Sequence, residues 1–199
     1  MEKSYILGSH NSWSFLPLKH WWMRPFAFMA RCQSKSIVQQ YHQYGVRCFD
    51  LRIRMNRREL NHPIICHGYA EYDISRAEIM EYLSMINGFG DCYVRVIQEV
   101  RTKKQYDETV WDMDFSNFCK EIEKKFPNIK FWCGRSLYGW VEEYVFQNNP
   151  SCEEKYSSVC KPDLIDDWWP WLFAKRNNKK ILKQGTDKDI LLIDFVNIR

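Results

Sequence analysis

The sequence predicts an α/β fold with a parallel sheet, because segments with the pattern of β-strands alternate with segments that have the pattern of helices. Polar residues also follow several of the predicted strands, at the end where (β/α) barrels build their active sites. The chain has 199 residues, of which 45% are hydrophobic and 27% charged. This composition excludes wholesale disorder, and the length fits about one domain.

The first elements lie in the amino-terminal quarter of the chain. An apolar strand is predicted over 5–9, and it leads into a polar sequence at His10. Residues 14–29 are rich in Trp and Phe and contain two prolines, which indicates an irregular loop or a short helix. A helix is predicted over 32–44, because its apolar residues recur on one side and Gly45 is a typical helix end.

The strand predicted over 46–55 carries a row of charged side chains. Its alternation puts Cys48, Asp50, Arg52 and Arg54 on one face and apolar residues on the other. The ordinary interpretation is an amphipathic strand whose charged face lies in solvent.

Three further elements follow in order. A short apolar strand over 63–68 ends on His67 and a glycine. Ser75 and Glu78 have the spacing of a capping box, so a helix is predicted from there to residue 87. The next strand, over 93–101, carries Glu99 near its end.

The carboxy-terminal half continues the alternation less clearly. Pro127 ends the helix predicted over 106–126, and the last strand is a continuous apolar run that ends near Asp194. The predicted elements are a helix over 106–126, strands over 129–133 and 140–146, a partly helical segment over 166–183, and a strand over 189–196.

The charge balance is mildly basic. Lys and Arg number 29 against 25 Asp and Glu, so the net charge is +4. This excess favours an anionic ligand or a membrane surface, but it lacks the clustered charge of a nucleic-acid-binding protein. No run of about 18 apolar residues predicts a membrane span.

The cysteines and the amino terminus bear on location. None of the eight cysteines forms a C-x-x-C pair, which argues against a zinc ribbon or a redox motif. Cys48, Cys66 and Cys133 lie in predicted strands and are expected to be buried, whereas Cys152 and Cys160 flank a polar loop and could pair. We expect a reduced, intracellular setting, cytoplasmic or at a membrane surface, and a secreted protein only if a leader has been removed.

The polar strand ends contain the groups that cleave a phosphodiester by internal attack. His10 and His67 can act as general base and general acid. Arg52 can stabilise the charge that develops on the phosphate, because its planar guanidinium matches two phosphate oxygens. Asp194 or Asp50 can orient the base histidine.

Three blocks of sequence resemble the X domain of phosphatidylinositol-specific phospholipase C. They occur in the order and with the approximate separations of that family: Leu7–Ser12 (LGSHNS), Gly45–Arg52 (GVRCFDLR) and Ile65–Gly68 (ICHG). The clear resemblance covers residues 5–101, and the last strand resembles the strand that closes the family's barrel. The resemblance implies one catalytic domain over residues 1–199, with the fold of a small, distorted TIM-type (β/α) barrel.

The resemblance also implies roles for particular residues. His10 matches the base that deprotonates the inositol 2-hydroxyl, and His67 matches the acid that protonates the diacylglycerol oxygen. The product is a cyclic inositol phosphate. Asp50 matches an acidic position after the second strand, and Asp194 matches the residue that orients the base.

Position 52 separates two branches of the family. Arg52 matches the metal-independent bacterial branch, whereas the calcium-dependent branch has an acidic ligand there, so we expect no metal cofactor. Asn11 departs from this pattern, because the metal-independent branch commonly has Asp at that position and the calcium-dependent branch has Asn. Calcium therefore stays open as an alternative that Arg52 disfavours. An amide cannot relay a proton, so the departure bears on catalytic efficiency and not on phosphate binding.

Further residues are expected to contact substrate or membrane. The predicted substrate contacts are Asn11, Glu99, Arg101, Arg135 and Tyr138. Aromatic clusters follow the first strand and precede the last one, with Lys and Arg beside them, which suits an anionic lipid surface. The residues predicted at this membrane rim are Trp21, Trp22, Trp168 and Trp169. The same rings could instead fill a core left thin by the short chain.

Three functions remain open from the sequence. The first is a phosphodiesterase that cleaves phosphatidylinositol at a membrane surface as a monomer, without nucleic acid. The second is a catalytically weak module that binds a phospholipid headgroup or a protein partner. The third is a phosphodiesterase for a soluble diester.

Overall fold

The architecture is that of a mixed α/β protein. The computed structural model describes residues 5–55, 62–100, 113–137, 141–147, 155–156, 168–184 and 189–198. The strands are β1 (Ile6–Ser9), β2 (Cys48–Met55), β3 (Pro63–His67), β4 (Ala70–Glu71), β5 (Cys92–Val100), β6 (Ile129–Leu137), β7 (Val141–Gln147), β8 (Lys155–Tyr156) and β9 (Asp189–Ile193). The helices are a 3-10 helix (Trp21–Phe26), α1 (Ala27–Ala30), α2 (Ile37–Tyr44), α3 (Arg76–Phe89), α4 (Met113–Lys125) and α5 (Pro170–Gln184).

One sheet runs in the order β7-β6-β5-β2-β1-β9-β8. The strands from β6 to β8 along this order are all parallel to their neighbours, which confirms the predicted α/β class. At one edge β7 pairs with β6 in the antiparallel sense, and the hairpin of β3 and β4 joins the sheet through antiparallel pairing with β2.

The sheet is open over the described residues. Its outermost strands, β7 and β8, have no hydrogen-bonded pairing with each other there. The predicted α/β sheet of mainly parallel strands is therefore confirmed. The predicted closure into a TIM-type barrel is corrected, because the described residues form no closed barrel.

Local sequence signals determine where the helices begin. Ser36 caps α2 with a capping box to Gln39, so this helix starts at residue 37 and not at 32 as predicted. Ser75 and Glu78 form the predicted capping box at the start of α3. Gly45 ends α2 with a φ of 69°, a left-handed conformation that favours glycine.

The two faces of the sheet differ in what they bury. Phe49, Leu51 and Ile53 of β2 belong to the main apolar core. A smaller apolar cluster lies on the opposite face; it contains Cys48, Tyr93, Trp132, Ile190 and Leu192. The charged residues of β2 and β5 lie on this second face, further along the strands toward their carboxyl ends.

Three other features bear on the sequence predictions. β6 extends to Leu137, four residues beyond the predicted end. The six described cysteines are buried free thiols, among them Cys48, Cys66 and Cys133 as predicted, while Cys152 and Cys160 lie outside the described residues. Within the described ranges, no helix has both the length and the apolar character needed to cross a lipid bilayer.

Candidate active site

The base histidine and its carboxylate are brought together by parallel strands. β1 and β9 pair with Ser9 opposite Ile193, so the residues that follow, His10 and Asp194, are adjacent. His10 Nδ1 lies 2.7 Å from Asp194 Oδ1. Because a carboxylate accepts hydrogen bonds, Nδ1 carries the proton and donates it, which leaves the lone pair on Nε2. The histidine is therefore in the tautomer that a general base requires.

A buried glutamine holds these two strand ends together. Gln33 Nε2 donates to the carbonyl oxygens of His10, at 3.1 Å, and of Ile193, at 2.8 Å. Its Oε1 accepts from the backbone N–H of Val196 at 3.1 Å. Sequence reasoning missed Gln33, because no local pattern marks it and its partners lie at distant positions of the chain.

Asp50 is the centre of a buried charge cluster. Its Oδ2 accepts hydrogen bonds of 2.9 Å from the backbone N–H of Asn11 and from Arg52 Nε. Its Oδ1 lies 3.2 Å from Arg95 Nε. Burial alone would raise the pKa of Asp50, but the nearby charges of Arg52 and Arg95 hold it well below its usual range. The charged face of β2 is thus buried, and the interpretation of a solvated face is wrong.

Glu99 connects Arg52 to the turn that follows His67. Glu99 Oε1 lies 3.2 Å from Arg52 Nη1, and its Oε2 accepts from the backbone N–H of Gly68 at 2.6 Å. On the other side, Arg54 Nη1 donates to the Gly68 carbonyl oxygen at 2.7 Å. The backbone just after His67 is therefore held from both sides by charged groups.

His67 faces His10 across the site. The two ring centroids are 5.8 Å apart and the rings are nearly perpendicular, at 88°. His67 Nδ1 donates to the Ala30 carbonyl oxygen at 3.0 Å, so Nε2 is the nitrogen that can gain or lose a proton. Burial lowers the pKa of His67, and the positive charges of His10 and Arg52 lower it further, whereas Glu99 raises it.

Cys32 lies between the two histidines and was not predicted as a site residue. Its Sγ is 3.7 Å from His67 Nδ1, and one ligand atom each of Cys32, His10 and Asp194 lie within 4.8 Å of one another. Burial raises the pKa of the Cys32 thiol well above its usual value, and the charge of Asp194 raises it further. The thiol is therefore protonated under ordinary conditions.

Asn11 is wholly buried at a positive φ of 44°. Its side-chain amide lies beside Cys32 and Tyr72, and neither its Oδ1 nor its Nδ2 has a hydrogen-bond partner. A buried amide without partners is costly, so it marks a position where a ligand atom would be stabilised.

The other residues predicted to contact substrate do not all lie on the face of the sheet that carries Glu99. Arg101 and Tyr138 lie outside the described residues. Arg135 is paired with Gln98, and Ser136 with Glu99. Because paired residues share a face of the sheet, Arg135 lies on the face opposite to Glu99, and Ser136 lies on the same face as Glu99. The same alternation places Arg95 on the face of Glu99, because Arg95 precedes Glu99 by four residues on β5.

The predicted membrane-rim tryptophans are exposed, and two distant segments meet there. The Phe28 and Trp169 ring centroids are 5.9 Å apart, which joins the segment after β1 to the segment before α5. We call this the aromatic surface; its exposed residues are Trp21, Trp22, Phe26, Phe28, Trp168, Trp169 and Trp171. Phe28 stands two residues before Ala30, whose carbonyl binds His67, so this surface adjoins the site.

Comparison with known proteins bears on the fold. No protein-family model matches the sequence, and no curated protein matches it. Solved structures of phosphatidylinositol-specific phospholipase C from Staphylococcus aureus are similar to this chain. A form that contains pentafluorophenylalanine is 14% identical with a TM-score of 0.55, over 96% of this chain and 72% of that chain.

Two other structures of the same bacterial enzyme give similar values. A point mutant is 15% identical with a TM-score of 0.55, over 98% of this chain and 72% of the other. A structure concerned with modulation of the enzyme's membrane binding is 14% identical with a TM-score of 0.54, over 96% and 74%. The fold of the chain is thus that of a phosphatidylinositol-specific phospholipase C, as the sequence motifs predicted.

Proposed function

We propose that this protein is a metal-independent phosphodiesterase that cleaves phosphatidylinositol to diacylglycerol and a cyclic inositol phosphate. One observation carries the proposal. Two partly exposed histidines face each other with their ring centroids 5.8 Å apart, above a buried cluster of Asp50, Arg52 and Glu99. The similar fold of the bacterial phospholipase supports it. All of these groups come from one chain, so a monomer is sufficient.

His10 acts as the general base. Its Nε2 takes the proton of the inositol 2-hydroxyl, and the resulting alkoxide oxygen attacks the phosphorus atom. The imidazolium that forms is stabilised by Asp194, whose Oδ1 lies 2.7 Å from Nδ1. Gln33 holds the backbone of both strand ends, which keeps the histidine and the carboxylate in register.

Arg52 supplies the positive charge that stabilises the phosphorane-like transition state. It is 2% exposed and fixed by two carboxylates, so the charge is already in place before substrate binds. The same contacts argue against calcium, which needs six to eight oxygen ligands. Asp50 and Glu99 already pair with arginines, and a second cation beside Arg52 would be repelled.

His67 acts as the general acid. Its Nε2 gives a proton to the diacylglycerol oxygen as the bond from that oxygen to phosphorus breaks and the bond to the inositol 2-oxygen forms. One proton has then moved to His10 and one has left His67, so the charge of the protein is unchanged. The unpartnered amide of Asn11 lies in the same buried region and can bond a substrate oxygen.

The aromatic surface would place this site at a lipid interface. Tryptophan favours the membrane–water boundary, and Lys175 lies over the Trp171 ring at 5.1 Å, a position from which it can reach anionic headgroups. The exposed rings therefore favour a lipid substrate over a soluble diester.

One observation favours a second function, a headgroup-binding module with weak turnover. Burial lowers the pKa of His67, which reduces the protonated fraction of the general acid at neutral pH. No carboxylate stands at position 11 to counter this effect. Such a module would bind phosphatidylinositol vesicles and release little product.

The test is turnover of phosphatidylinositol vesicles by the full chain in the presence of a chelator. We expect His10→Ala and His67→Ala each to lower kcat by about 10²–10⁴-fold, the contribution of one general acid or base. The matched control is His42→Ala, since His42 is exposed on α2 away from the site, and it should leave kcat unchanged. Unchanged turnover in both site variants would overturn the proposal, and vesicle binding without any turnover would establish the module.

A further inference from the structure

Cys32 has no part in the proposed mechanism, yet it lies at the centre of the site. Its thiol is wholly buried, 3.7 Å from His67 Nδ1, and it adjoins the pair formed by His10 and Asp194. The other described cysteines lie in β2, β3, α4, β5 and β6. Of the described residues, His10, Cys32 and Asp194 form a group whose ligand atoms all lie within 4.8 Å of one another.

This separation is close to that of the ligands of a tetrahedral zinc ion. Zn–N and Zn–S bonds of about 2.0–2.3 Å place two ligand atoms roughly 3.3–3.8 Å apart. The most widely separated ligand atoms therefore have to approach by about 1–1.5 Å, whereas His10 Nδ1 and Asp194 Oδ1, 2.7 Å apart, have to separate slightly to admit the ion. His10 is partly exposed, with 25% of its side chain accessible, so an ion can enter from its side.

The unpartnered amide of Asn11 supplies an independent indication of a ligand. It is 0% exposed, its Oδ1 lacks a hydrogen-bond partner, and the amide adjoins the Cys32 thiol. A flip of the amide would turn its Oδ1 toward the thiol, where it could complete a fourfold coordination with the imidazole, the thiolate and the carboxylate. Bonding to a cation would also remove the cost of leaving the buried oxygen without a partner.

The donor set selects among metals. A thiolate with an imidazole suits zinc and similar thiophilic ions, whereas calcium and magnesium require oxygen ligands. The Cys32 thiol is protonated in the free chain, so the ion displaces its proton to solvent on binding. The resulting thiolate and the carboxylate together balance the two charges of the ion. We propose that His10, Cys32 and Asp194, with Asn11 as fourth ligand, form a binding site for Zn²⁺.

Occupation of this site would inhibit the enzyme. A zinc ion bound to His10 removes the base from catalysis and ties Asp194 to the metal. This consequence rests on the proposed function, whereas binding of the ion does not. Zinc would thus compete with the phosphodiester for the same residues.

The test is binding of Zn²⁺ to the full chain without substrate, measured by calorimetry, with X-ray absorption at the zinc edge. We expect one bound ion with one sulfur at about 2.3 Å and nitrogen or oxygen ligands at about 2.0–2.1 Å. Cys32→Ala and His10→Asn should each weaken binding by at least about 100-fold. The matched control is Cys92→Ala, which removes a buried thiol at the opposite end of β5 and should bind zinc as the parent chain does.

Coordination without sulfur in the parent chain, or equal affinity in Cys32→Ala, would overturn the proposal. The absorption spectrum decides this even where a variant fails to fold, because it needs only the parent chain. Zinc bound through Cys32 in a chain that cleaves no diester would leave the site standing and reject the proposed function. Turnover that persists at saturating zinc would reject the inhibition alone.

Discussion

At the scale of single residues, the site depends on charges that are buried and paired. Asp50 is wholly buried, and its carboxylate is in contact with two arginines. Burying a carboxylate costs free energy unless opposite charges and hydrogen bonds compensate for it. The two arginines therefore compensate for the burial of the Asp50 carboxylate.

Replacing Asp50 should destabilise the fold strongly. We expect Asp50→Asn to lower the free energy of unfolding by about 3–5 kcal/mol at pH 7, since it removes the buried carboxylate charge that Arg52 and Arg95 share. The folded pKa of Asp50 is lowered, so its stabilisation is present above the unfolded pKa of about 3.9 and is lost as pH falls below it. The loss should therefore shrink in acid, as urea denaturation at several pH values will show.

The matched control for this variant is Asp91→Asn. The Asp91 side chain is 93% exposed, and its pairing with Lys130 is on the surface, so the change should stay within about 0.5 kcal/mol. Equal effects at Asp50 and Asp91 would contradict the buried cluster.

Glu99 should control the pH range of activity. The general acid must be protonated, and burial lowers the pKa of His67, so the alkaline decline of kcat/KM is expected at a lower pH than for an ordinary histidine. Glu99 raises this pKa, so Glu99→Gln should move the decline to still lower pH. The exposed Glu121 serves as control, and Glu121→Gln should leave the pH profile unchanged. A shift of the decline to higher pH would contradict the assignment of His67.

Sequence motifs located the residues that stand at strand ends. His10, Asp50, Arg52, His67 and Asp194 follow or lie in predicted strands, and the structure brings them together; their catalytic roles stay predictions. The residues missed were Gln33, Cys32 and Arg95. The first two precede α2, and their partners are set by the packing of strands far apart in sequence, which no local pattern encodes.

At the scale of elements, the close approach of β1 to its two neighbours positions the base histidine. Gly8 lies between Leu192 of β9 and Cys48 of β2. A Cβ at this position would lie 2.5 Å from Leu192 Cδ2 and 3.2 Å from Cys48 Cβ. A side chain at this position, two residues before His10, would therefore force Leu192 to shift and would crowd Cys48.

Substitution at two glycines tests this packing. Gly8→Ala should destabilise the protein by about 1–3 kcal/mol, because the added methyl overpacks the strands. Gly88→Ala, in α3, meets no atom within 4 Å and should stabilise the helix by about 0.5–1 kcal/mol. Thermal unfolding of both variants provides the comparison, and equal shifts would refute the close approach at Gly8.

Element types were predicted better than element ends. Capping residues define the starts of α2 and α3, and of these Ser75 was recognised but Ser36 was not. The predicted end of β6 was four residues short. Its last residues, Gly134 to Leu137, are polar or small in part, and they are held in the strand by pairing with both neighbours.

At the scale of the whole molecule, the aromatic surface should bind membranes. We expect Trp22→Ala combined with Trp169→Ala to weaken binding to phosphatidylinositol vesicles about tenfold or more, since each large apolar side chain contributes about 1.5–3 kcal/mol when fully buried. Sedimentation with vesicles measures the effect. The control is Met113→Ala, which removes an equally exposed apolar side chain, 77% accessible, on α4. Equal binding by all three proteins would exclude this surface as the membrane contact.

The α/β class followed from the alternation of strands and helices, but the order of strands and the open edges did not. Sheet order depends on which strands pair across long stretches of chain. The aromatic clusters were visible in the sequence, yet the contact between Phe28 and Trp169 spans 141 positions and emerges only from the fold. The same holds for the contact between Ala30 and His67.

The central claim is internal attack on a phosphodiester by two histidines without metal. It is tested most directly by phosphorus NMR of the protein with phosphatidylinositol in mixed micelles, first with calcium and then with a chelator. The account predicts a cyclic inositol phosphate signal that survives chelation and disappears in His10→Ala. A signal that requires calcium, or a first product that is already an acyclic monoester, would contradict it.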